Sequence, residues 1–63
     1  MSLAIIYHCN QWQEYSSFRL IGVVEEGFEY DALRKIQQEL KYTDDDMQTY
    51  IYVQYVDLNE LEI

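Results

Sequence analysis

The chain has 63 residues, twelve Asp and Glu against four Lys and Arg, and a formal charge of −8. This is room for one small domain spanning residues 1–63 and excludes a second, because domains run from about 50 to about 250 residues. With 49% hydrophobic residues, 16% aromatic residues, two Gly and no Pro, it is too apolar to be a disordered tail, and a single Cys cannot close an internal disulfide.

Leu3 to Cys9 (LAIIYHC) is a short apolar run rich in β-formers, which predicts a strand covered on both faces and therefore central in a sheet. Asn10 to Ser17 (NQWQEYSS) is a polar connection carrying Trp12 and Tyr15. Phe18 to Glu25 predicts a second strand, in which Phe18, Leu20, Gly22 and Val24 alternate with Arg19, Ile21, Val23 and Glu25. A glycine at position 22, inside a strand, marks a bulge or a close approach by another group.

From Glu29 the period changes. Leu33, Ile36 and Leu40 recur at i, i+3 and i+7, Glu29 and Asp31 stand where carboxylates favour the helix dipole, and Lys41 closes the other end with the favourable sign. A helix of about three turns with one apolar stripe must lie on a sheet. Tyr42 to Gln48 reads as a loop with one helical turn, capped by Thr43 and Asp46. Thr49 to Asp57 (TYIYVQYVD) is the strongest strand signal in the chain. Leu58 and Leu61 stand one turn apart in a short helical or frayed end.

The order strand, strand, helix, strand predicts an α+β domain of ββαβ type. It is a three-stranded, mainly antiparallel sheet of order 2-1-3 with one helix on one face. Whichever face the helix takes, the other keeps too many apolar and tyrosine side chains for a monomer surface. Two outcomes follow: Leu58, Leu61 and Ile63 fold over that face, or a partner covers it.

Charge is unevenly distributed. Residues 1–24 hold only Glu14 and Arg19, so the whole excess falls after Val24, where eleven acids face Arg34, Lys35 and Lys41. Such clustering repels nucleic acid and anionic membranes, whose phosphates need Lys or Arg, and attracts basic protein surfaces. The candidate partner-binding residues are Asp44, Asp45, Asp46, Glu25, Glu26 and Glu29, with Tyr50, Tyr52 and Trp12 as apolar anchors.

Nothing in the chain predicts an enzyme. His8 and Cys9 are neighbours on a strand and point to opposite faces, so they cannot act as base and nucleophile for each other. The triple Asp lacks the Gly and the bidentate Glu of a calcium loop, there is no phosphate loop, and no cofactor or metal is expected. No leader or anchor is legible, which predicts a cytoplasmic protein.

Tyr7-His8, the step Phe18 to Val23 with its Leu-Ile-Gly, the helix opening near Asp31-Ala32 and the ending Tyr55-Val56-Asp57-Leu58 resemble a family of very short uncharacterised bacterial and phage proteins. That resemblance implies a fold and no activity. Size and acidity are also similar to phage-encoded inhibitors, including anti-CRISPR proteins and DNA mimics. The similarity implies a non-catalytic module docking on the basic surface of a nucleic-acid-binding protein. The alternative is a structural homo-oligomer assembled through the tyrosine-rich sheet face.

Overall fold

The computed structural model describes residues 2–58. Strands β1 (Ser2–His8), β2 (Arg19–Glu25) and β3 (Ile51–Asp57) form a three-stranded antiparallel sheet of order β2-β1-β3. The apolar first strand is central, as its composition predicts. Two helices, α1 (Glu29–Leu40) and α2 (Asp44–Tyr50), lie between β2 and β3 in the chain, where one was expected. A 3₁₀ turn at Tyr15–Ser17 interrupts the first loop. Leu61 and Ile63, which the sequence offered as a cover for the sheet, lie outside the described residues.

The second helix exists because its N-terminus is well made. Thr43 Oγ1 accepts the Asp46 N–H at 3.1 Å and the Asp46 carboxylate accepts the Thr43 N–H at 3.1 Å, a complete capping box, and three Asp stand in the first turn against the positive end of the dipole. These contacts carry the helix through Thr49 and Tyr50, which β-propensity alone assigns to the strand. At the end of α1, Lys41 takes the left-handed conformation (φ 56°), and the Tyr42 N–H returns to the Gln37 carbonyl at 3.1 Å.

Register decides which face is covered. Ala4, Ile6 and His8 pair with Tyr55, Val53 and Ile51 of β3, and Ala4 and Ile6 with Val24 and Gly22 of β2. Ala4, Ile6 and Ile51 from this set are buried, and with Cys9 they are the buried hydrophobic residues among those described. The core is thus very small. The radius of gyration, 12.4 Å, exceeds the roughly 11 Å of a compact chain of this length, and the molecule measures 39 × 26 × 14 Å, a thin slab.

Between Ile6 and Tyr7 the β1–β2 register shifts: Ile6 faces Gly22, Tyr7 faces Leu20, and Ile21 is the extra residue of a bulge. The strict alternation expected for Phe18 to Glu25 therefore fails at one point, and Leu20 joins Val23 on the open face instead of Gly22 on the covered one. Gly22 itself is not conformationally required. A Cβ built there would meet Ile6 Cδ1 at 3.9 Å, an ordinary contact. Gly22→Ala is expected to raise stability by about 0.5–1 kcal/mol, through a less flexible unfolded chain and a methyl group over Ile6. Thermal melts check it, and a lowered midpoint would contradict it.

Candidate functional site

The face away from the helices is the most distinctive surface. Its central row is Leu3, Ile5 and Tyr7, flanked by Leu20 and Val23 on one side and by Tyr52, Gln54 and Val56 on the other. Phe18 closes one end, its ring 5.5 Å from Tyr7, 5.4 Å from Tyr52 and 5.8 Å from Tyr15, all tilted as aromatic pairs prefer. The Tyr7 hydroxyl donates to Gln54 Oε1 at 3.4 Å. Leu20, Val23 and Tyr52 are 61%, 49% and 42% exposed. Glu25, opposite Leu3, is the one charge that the pairing places on this face. A face this apolar on a molecule this acidic has the composition of an interface core rather than of a solvent surface.

Six of the acidic residues gather in two groups, while Asp31 and Glu39 lie on α1 and Glu14 in the first loop. At one end of the sheet, Leu3 pairs with Glu25, the Glu26 N–H donates to the Ser2 carbonyl at 3.0 Å, and Asp57 pairs with Ser2 across β1. Glu25, Glu26 and Asp57 thus stand at the same end of the sheet, beside the start of β1, with Glu25 on its open face. Exposed Tyr30 and Tyr55 stand beside them. Partial desolvation, then Glu29, Tyr30 and Glu26 nearby, hold the Tyr55 hydroxyl above its ordinary pKa.

The other group, Asp44 to Asp46, starts α2. Gln37 Nε2 donates to Asp44 Oδ1 at 3.0 Å, which sets this group about 12 Å along α1 from Glu29 at 1.5 Å per residue. Asp46 is committed to the capping box and Asp44 to Gln37, which leaves Asp45 as the exposed carboxylate of the three whose loss costs the fold least.

Glu29 is corrected as a contact residue. It is 3% exposed, and both oxygens of its carboxylate accept the Gly27 N–H, at 3.0 and 3.1 Å. The turn from Glu25 to Phe28 draws it inward. Tyr50 also turns away from the open face: it stacks on His8 at 6.0 Å and lies 5.6 Å from Tyr42, whose hydroxyl is 2.9 Å from His8 Nε2. This cluster ties the α1–α2 connection to the end of β1. Tyr52 and Trp12 remain accessible, Trp12 at the tip of the first loop with 70% exposure.

His8 and Cys9 make separate contacts, His8 Nε2 with the Tyr42 hydroxyl and Cys9 with the backbone of Thr49 and Tyr50. The Cys9 thiol is buried, points to the Tyr50 carbonyl at 3.4 Å, and burial pushes its pKa up, away from a reactive thiolate. Among the described residues no group of three or more His, Cys, Asp or Glu side chains is placed to hold a metal ion. None of the described helices is long and apolar enough to cross a membrane. A groove of about 470 Å³ between α1 and α2, lined by Leu33, Arg34, Asp44 and Met47 among others, is open to solvent. No family model, curated protein or solved structure matches the chain.

Proposed function

We propose that the protein is a non-catalytic, acidic protein-binding module that docks on the basic surface of a nucleic-acid-binding protein. Such a role suits an inhibitor of the kind that phages and mobile elements encode. The observation that carries this reading is the placement of its charge: Asp44, Asp45 and Asp46 begin α2, Glu25, Glu26 and Asp57 stand by the start of β1, and the open sheet face carries a single charge, Glu25. Two spaced acidic groups match a surface built to hold successive phosphates, and steer approach to it.

The reading is tested by using the protein as bait for a host lysate at low salt. A basic nucleic-acid-binding protein should be captured and should leave the bait as salt approaches physiological strength, with affinity falling several-fold. The variant Asp45→Lys combined with Glu26→Lys reverses one exposed charge in each group without touching the capping box, and should abolish capture. Retention of the partner by this variant, or a complex indifferent to salt, refutes the reading.

A second reading, a structural homo-oligomer packed through the tyrosine face, draws on the exposed Leu20, Val23 and Tyr52. It requires that Tyr52→Glu abolish assembly.

A further inference from the structure

The two edges of the sheet differ. β2 carries a bulge at Ile21, a glycine, and a charge at each end, which are devices that blunt an edge against pairing. β3 has no bulge and no glycine, and its one charge, Asp57, stands at one end. Its seven residues, IYVQYVD, are β-branched or aromatic apart from Gln54 and the terminal Asp57, and contain no Pro, Gly or Lys.

The direction of its backbone groups follows from one bond. The Cys9 N–H donates to the Tyr50 carbonyl at 2.8 Å, so position 50 and, by alternation, Tyr52, Gln54 and Val56 turn their backbone toward β1. Val53 and Tyr55 turn theirs outward. Among the described residues, no bond to those outward groups is found.

We infer that β3 pairs antiparallel with β3 of a second copy, in the register centred on Gln54, to give one six-stranded sheet of order 2-1-3-3-1-2. The occupant is argued from self-complementarity, which a two-fold contact demands. Centring on Gln54 sets Val53 against Tyr55 twice, in the hydrogen-bonded sites that those outward groups provide; the Ile51 N–H already bonds to the Met47 carbonyl, so the ladder runs from Tyr52 to Val56. It also sets Tyr52 against Val56 twice on the open face. These are the aromatic and β-branched pairs that antiparallel strands favour. Gln54 meets its own copy, and a carboxamide is donor and acceptor at once. Asp57 falls opposite Ile51, so the two acidic ends stay apart. The contact is small, which makes the association weak, in the micromolar range.

Sedimentation equilibrium up to about 200 µM tests it. Each copy carries −8, so dimerisation should tighten as salt rises, the reverse of docking on a basic partner, and the two proposals fail separately. Gln54→Lys should weaken the dimer at least about tenfold, although it lowers the net charge, because two ammonium groups then meet at the axis. Gln54→Cys should yield a disulfide-linked dimer on mild oxidation, since Cα atoms of a non-hydrogen-bonded pair lie about 4.5 Å apart, within disulfide reach. Val23→Cys, on the open face at the far edge, should not cross-link. A monomer at every salt concentration, a dimer unaffected by Gln54→Lys, or cross-linking through position 23 in preference to 54 overturns the inference.

Discussion

Ile6→Ala is expected to leave the domain largely unfolded at 25 °C. A chain of 63 residues has about 3–9 kcal/mol of stability at 0.05–0.15 kcal/mol per residue, and this one sits near the lower end because so few of its side chains are buried. Ile6 is wholly inaccessible, lies on the central strand between Gly22 and Val53, and is one of the two largest fully buried side chains. Truncating a buried Ile costs about 2–5 kcal/mol, and the site is a poor candidate for collapse because strands are bonded on both sides of it. Most of the folding free energy is lost. Far-UV circular dichroism in urea should show the transition midpoint shifted down by about 2 M or more, and a loss under about 1 kcal/mol would mean that the core lies elsewhere.

Gly27→Ala is the second large effect, and it works through the backbone alone. The Phe28 N–H closes a turn on the Glu25 carbonyl at 3.0 Å, with Gly27 in its third position at φ 106°. That angle suits glycine and strains every L-residue. A Cβ there meets nothing within 4 Å, so no clash contributes. The cost is about 1–3 kcal/mol of strain, and the same movement pulls the Gly27 N–H away from the buried Glu29 carboxylate. A fall in melting temperature of roughly 8–15 °C is expected for a domain of this size. An unchanged melting temperature would show that the turn relaxes freely.

Much of the fold was legible because strand composition and alternation are local. The apolar run at Leu3 to Cys9 announced a central strand, and order 2-1-3 followed from it. What escaped depends on geometry. The length of α2 came from a competition at Thr49-Tyr50, where a strong cap outweighed β-branched and aromatic propensity. The bulge at Ile21 left only Gly22 as a trace, and glycine there could equally have meant a close approach. Glu29 looked like any first-turn carboxylate until the turn folded it onto Gly27. Among the candidate contacts, acids adjacent in sequence stayed adjacent, but Asp57 joined Glu25 and Glu26 only through strand pairing.

The buried Cys9 gives this domain a clock of its own. It is the only thiol in the chain, 1% exposed beneath the end of α2. An alkylating reagent can reach it only when β1 and the α2–β3 junction part, so the rate of modification measures how often that happens. When reclosing outruns the chemistry, the ratio of this rate to that of an unfolded control is the population of the open form. The opening free energy of wild type and of each variant could thus be read by mass spectrometry from a single sulfur atom, in water, without denaturant.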